Sequence, residues 1–211
     1  MKSIVIVMVA GVFLTACKNE EKLEEKQIVS RPHIELSEIS LITPETLHEG
    51  FNWAEVPELK GIGNFPFVRA EGGLEIKHEK EGLSELFDYA TMQNASDKGI
   101  FSSAGKLGVL AFESADNTDF NQQIFNSTVN AYFVKIGAKK LYQGSFPADD
   151  IERSKLEENN WSGKHGNYGF LHESEAPFTV YAFRNKGKKY VLNIQSNSAQ
   201  GNVFIMELAT L

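Results

Sequence analysis

Two β-prone runs lie near the end of the chain, Phe-Thr-Val-Tyr-Ala-Phe at 178–183 and Tyr-Val-Leu-Asn-Ile-Gln at 190–195. Between them stands Asn185-Lys186-Gly187-Lys188, a composition suited to a tight hairpin turn. The second run alternates Tyr190, Leu192 and Ile194 with Val191, Asn193 and Gln195, so each set points to its own face of a sheet. A looser Ser/Asn/Gly loop leads to a third run at 203–208. Short connections of this kind join antiparallel neighbours, so the chain is committed to a three-strand meander held by cross-strand pairs.

Further strands are expected at 67–70, 74–77, 86–92, 107–113 and 138–144, with turn composition at 94–99. Phe120, Ile124, Phe125, Thr128, Ala131, Tyr132 and Ile136 recur at spacings of three and four, which predicts one amphipathic helix. Asp119 or Thr118 can cap its start and Gly137 can close it. A more polar helix is expected from Asp149 or Asp150 to about Asn159. The helix aromatics need a sheet to cover them. The fold class is therefore α+β: a predominantly antiparallel sheet with one main amphipathic helix and a C-terminal three-strand meander, one sheet face covered by helices.

The other end carries a different signal. Lys2 precedes an apolar run from Ile4 to Leu14 broken only by Gly11, the length of a signal-peptide core and too short to span a bilayer. It closes on Leu14-Thr15-Ala16-Cys17, which resembles the bacterial lipobox. The resemblance implies diacylglyceration of the Cys17 thiol, cleavage before it, and anchoring by acyl chains. Lys18-Asn19-Glu20-Glu21 resembles the export signal of surface lipoproteins of Bacteroidota, and a charged tether has the same composition. Outer-membrane localisation is expected, with the cell-surface and periplasmic faces both open. Cys17 is the only cysteine, which rules out an internal disulfide and a cysteine zinc cage.

The expected layout is a signal peptide at 1–16, a lipidated N-terminus and tether at 17–62 with Asn52-Trp53 and Leu59-Lys60 as docking points, and a single α+β domain at 63–211. After cleavage Lys2 is lost from 21 basic residues while 28 acidic ones stay, for a formal charge of −8. That balance argues against nucleic acid, whose phosphates must be neutralised, and against a polybasic grip on anionic lipid.

The order of the main helix, Gly137, the short strand with Leu141 and Tyr142, and the late strands at 178–183 and 190–194 resembles a module found beside OmpA-type peptidoglycan-binding domains. The resemblance covers roughly Phe65 to Leu208 and implies a fold. No OmpA-type domain stands beside the module in these 211 residues, so peptidoglycan binding is not carried over, nor is any catalytic residue.

Five histidines, His33, His48, His78, His165 and His172, form no HExxH pattern. His165 and His172 lie near Glu173 and Glu175, where exposed loop histidines are a plainer reading than a metal site. There is no GxSxG elbow; Ser102-Ser103-Ala104-Gly105-Lys106 reads as a loop capping a strand, and Gly61-Ile62-Gly63 lacks the rest of a phosphate cradle. Asp149, Asp150 and Glu152 read as a helix start. No catalytic residue, metal site or cofactor is assigned.

The candidate ligand-binding residues are Trp161, His165, Asn167 and Tyr168, where rings and amides alternate with glycines and a sugar or peptide edge could stack and hydrogen-bond. The expected function is a membrane-anchored envelope lipoprotein, a noncatalytic binding or assembly component. Its partners are the lipid bilayer, through acyl groups on Cys17, and an envelope protein or glycan. The alternative is an envelope hydrolase with a non-motif His/carboxylate site.

Overall fold

The computed structural model describes residues 51–116, 118–158, 169–171 and 176–209, all within one compact unit. Seven strands form one sheet: β1 (Leu74–Ile76), β2 (Glu85–Ser96), β3 (Gly99–Ser114), β4 (Lys139–Ser145), β5 (Pro177–Asn185), β6 (Lys188–Ser196) and β7 (Gly201–Leu208). The order is β1-β3-β7-β6-β5-β4, every pair antiparallel, and β2 pairs with β3 as well. Gly105 and Phe112 of β3 pair with Leu208 and Gly201 of β7, so β1 and β2 share the opposite edge of β3. The expected meander is β5-β6-β7, its first turn closing at Asn185 and Lys188. The chain is an α+β protein of predominantly antiparallel sheet with one main helical segment.

Three local expectations are corrected. The polar stretch 94–99 is mostly strand, with only Asp97 and Lys98 left to turn. Asn94 and Ser96 are buried and hydrogen-bonded: Asn94 Nδ2 donates to Met92 O (2.9 Å) and Ser103 Oγ (2.9 Å), and Ser96 Oγ donates to Gly99 O (3.1 Å). The segment 102–106, expected as a loop, therefore lies inside β3. Residues 67–70 form no strand, because Phe67 sits at φ 70, in the left-handed region that extended pairing does not use.

The main helical segment is interrupted, running as α1 (Gln122–Phe125), a π-helical stretch (Asn126–Asn130) and α2 (Ala131–Lys135). Asn121 caps it rather than Asp119 or Thr118, its Oδ1 accepting from Ile124 N at 3.0 Å. Gly137 closes it at φ 82. The buried face is not the expected stripe: Phe125 is fully buried, but with Val129 and Phe133, whereas Ile124 and Ala131 of the stripe are exposed, because the π-helical stretch turns the face that meets the sheet. The second helix, α3 (Asp150–Glu157), is capped by Asp149, which accepts from Ile151 N and Glu152 N at 3.0 Å each.

Both faces of the sheet are covered, not one. On the helix side, Tyr181, Phe183, Tyr190, Leu192, Val203 and Ile205 meet Phe125, Val129 and Phe133. Phe133 stacks on Tyr181 with centroids 5.9 Å apart. Gly201 admits this close approach: a Cβ there would lie 2.5 Å from the Phe125 ring. On the other side, Val180, Ala182, Val191, Phe204 and Met206 meet Phe51, Val56, Phe146, Leu156 and Phe170 together with Ala90, Met92 and Phe101 of the β2–β3 hairpin. The hairpin reaches that face because its strands bend. An extra residue enters β2 between Phe87 and Ala90, and Gly105 opposite adopts φ 154, where a Cβ would lie 2.0 Å from Glu207 O.

Residues 51–60 pack on the sheet. Phe51, Val56 and Leu59 are buried, and Leu59 N donates to Arg184 O at 2.7 Å while Arg184 N donates to Pro57 O at 2.8 Å. The docking expected at Leu59 is thus a main-chain attachment to the end of β5.

Candidate functional site: a cleft beside the helical face

An open cleft of about 800 Å³ lies between two walls, residues 61–70 and the turn that follows β1. Ile62, Phe65, Phe67, Arg69 and Ala70 line the first; Ile76, Glu79, Glu81 and Gly82 line the second. A smaller hollow of about 110 Å³ continues past Arg69 to Glu71, Thr128 and Tyr132. The larger volume falls within the roughly 300–1,000 Å³ common for small-ligand sites.

The first wall is fastened by the helical segment and by the β5–β6 turn. Tyr132 Oη donates to Ile62 O (3.4 Å), and Lys186 Nζ donates to Asn64 Oδ1 (2.9 Å). The Phe67 ring stands edge-on to Phe183 (5.1 Å) and Tyr190 (4.9 Å). Phe65 packs on the β3 backbone at Gly108, where a Cβ would come within 2.6 Å of its ring, and Lys106 Nζ lies 5.5 Å from the ring centroid. The second wall hangs from β3: Lys77 N donates to Ala111 O (2.8 Å), Ser84 N to Val109 O (2.8 Å), and Lys80 and Leu83 exchange main-chain bonds. Both walls are thus set by tertiary contacts.

The backbone around the cleft is strained. Among the described residues, the non-glycine positions with positive φ are Phe67 (70°), His78 (52°), Glu81 (56°) and Lys186 (52°), and the first three lie in the two segments that wall the cleft. An L-residue pays on the order of 1–2 kcal/mol in this region, and a bulky ring at Phe67 is a marked outlier. Strain of this kind concentrates at ligand clamps and active sites. Three exposed charges line the cleft: Arg69 on one wall, Glu79 and Glu81 on the other. None forms an ion pair among the described residues.

Below the first wall, Tyr190 Oη donates to Glu207 Oε2 (2.9 Å) and Lys188 Nζ to Glu207 Oε1 (2.6 Å). Burial pushes the Glu207 carboxyl up, but the bonds from Lys188 and Tyr190 and the charges of Lys188 and Lys106 outweigh it and hold the group below its usual range. Burial, reinforced by Glu207, raises Tyr190. Tyr132 is also raised, first by burial and then by the charge of Glu71. The two raised phenols are kept as neutral hydrogen-bond donors, Tyr132 to Ile62 of the first wall and Tyr190 to Glu207.

Cys17, Trp161, His165, Asn167 and Tyr168 lie outside the described residues, as do His33, His48 and His172. What is described beside the 161–168 segment is residues 169–171. Phe170 is buried against Phe146, Phe178 and Phe204. Gln195 accepts from Leu171 N (2.9 Å) and donates to Leu171 O (3.4 Å), and Asn202 Nδ2 donates to Gly169 O (3.4 Å). His78 is exposed in the turn after β1. Asp149, Asp150 and Glu152 start α3, and Gly61-Ile62-Gly63 lines the cleft instead of cradling a phosphate. Among the described residues no group of three or more His, Cys, Asp or Glu could hold a metal ion, and no helix is long and apolar enough to cross a membrane.

Sequence reasoning missed Arg69, Glu79 and Glu81. The available signal was the density of glycine around Phe65-Pro66-Phe67, at 61, 63, 72, 73 and 82, five positions that all take positive φ. The fold is a mixed α+β domain with an open cleft beside its helical segment. Comparison of the chain with known protein families, curated proteins and solved structures found no match.

Proposed function

We propose that this chain is a lipid-anchored protein of the bacterial outer membrane whose folded domain binds a protein or glycan partner through the cleft between residues 61–70 and 76–82. The observation that carries the reading is the cleft itself: about 800 Å³, walled by apolar rings and unpaired charges on a strained backbone. The Arg69 guanidinium offers a planar fork of donors, chemistry suited to holding a ligand.

The anchoring half of the reading rests on Leu14-Thr15-Ala16-Cys17. Residues 18–50 separate Cys17 from Phe51, and a chain of 33 residues reaches at most roughly 110–120 Å. Confinement to a surface within that reach raises the effective concentration of the domain for an envelope partner.

The test is crosslinking in intact native cells, followed by identification of what co-purifies with the full-length protein. One envelope protein or wall fragment enriched with the wild type, mapping to residues 61–82 and lost with Cys17→Ala, is the expected result. An intact, anchored protein that enriches nothing would overturn stable binding and direct work to the hydrolase reading.

A further inference from the structure

We infer that the cleft takes a short peptide of mixed charge, lying with its carboxylate against Arg69 and its ammonium group against Glu79 and Glu81. The inference rests on the cleft being the binding site and adds the class of ligand. Its first support is the placement of charge. Arg69, on residues 61–70, and the two carboxylates, in the turn after β1, line one cavity, none with an ionic partner among the described residues. A guanidinium fork matches a carboxylate in two parallel hydrogen bonds, and an ionised carboxylate is an acceptor that suits an ammonium donor. A ligand of one sign only meets attraction on one wall and repulsion on the other, which is how a site rejects the wrong partner.

The second support is the main chain. Arg69 and Ala70 line the cleft, and their N–H groups donate to no described residue. Unpaired main-chain donors are groups that a peptide's carbonyls can bond when it lies beside another chain. Nearby Phe65, Phe67 and Ile76 offer apolar surface to its side chains. The third is net charge. One positive and two negative groups leave these side chains at −1, which a peptide with one carboxylate and two ammonium groups complements.

Isothermal titration of the full-length lipidated protein in detergent micelles tests this with three probes: Ala-Lys-Ala with free termini, its C-terminal amide, and Ala-norleucine-Ala. The free tripeptide should bind on the order of tenfold more tightly than either altered form. Arg69→Gln should abolish the preference for the free acid over the amide while leaving the preference for lysine over norleucine. The double variant Glu79→Gln/Glu81→Gln should do the reverse. These side chains are exposed, so unchanged thermal unfolding serves as the control for folding. Equal affinity for the three probes, no heat from any, or preferences that survive both variants would overturn the inference. The crosslinking experiment separates the two levels. A partner attached through residues 61–82, with no selection for mixed charge, would retain the binding site and remove the peptide. A partner attached elsewhere on the domain would remove both.

Discussion

Asn193 of β6 donates from Nδ2 to the main-chain carbonyl of Gln93 in β2 at 3.2 Å, although β3 and β7 stand between those strands in the sheet. The bond marks where the β2–β3 hairpin folds back over the sheet. Asn193 is fully buried, and its Oδ1 has no hydrogen-bond partner among the described residues.

Removing that donor should loosen the hairpin. Asn193→Ala is expected to cost about 1 kcal/mol, the typical net worth of one hydrogen bond. Urea unfolding measures the loss. Hydrogen exchange should show it concentrated at residues 90–104; protection falling evenly over the whole sheet would mean the bond does not hold the hairpin in particular.

Gly201 is the contact point between the helix and the sheet. Gly201→Ala drives a methyl group into the Phe125 ring and should cost about 1–3 kcal/mol by overpacking. Phe125→Leu alone should also destabilise. The double variant should be more stable than the sum of the two losses predicts, by at least about 0.5 kcal/mol, since the residues touch. Strict additivity in urea denaturation would contradict the packing described.

Tyr181 gives a pH dependence. Burial pushes its phenol from the ordinary 10.0 up to about 12. A buried phenol disfavours its ionised form, so its stabilisation is complete below pH 10 and is lost as pH rises from there toward 12. Tyr181 Oη also donates to Asn130 Oδ1 at 2.7 Å, so Tyr181→Phe should cost about 1 kcal/mol near pH 8. The wild type should then lose its advantage over the variant above pH 10, as followed by urea midpoints at pH 8, 9, 10 and 11. An advantage that stays constant to pH 11 would show that the phenol does not titrate with folding.

Strain at the cleft should be separable from charge. Glu81→Gly relieves the left-handed backbone at φ 56 and should raise stability by up to about 1 kcal/mol, the chain-entropy cost of glycine offsetting part of the relief. Glu81→Gln keeps the strain and should leave the urea midpoint where it is. If both variants unfold together, the conformation of Glu81 stores no strain.

The sequence by itself determined the elements whose causes are local. Alternation at 190–195 and the turn at Asn185-Lys186-Gly187-Lys188 set β5 and β6; Asp149 set the start of α3; Gly137 set the end of the helical segment. In each case the deciding interaction lies within a few residues. Polar composition at 94–99 misled, because it signals a turn only while the side chains face water; Asp97 and Lys98 do, but Asn94 and Ser96 are buried by a hairpin folding onto strands 100 residues away. The break at Phe67 likewise answers to Phe183 and Tyr190, far along the chain. Only the tertiary structure could decide the cleft. Arg69 and Glu79 are ordinary surface charges in a sequence; the attachment of residues 61–70 to the helix and the β5–β6 turn, and of residues 77–84 to β3, puts them across one cavity.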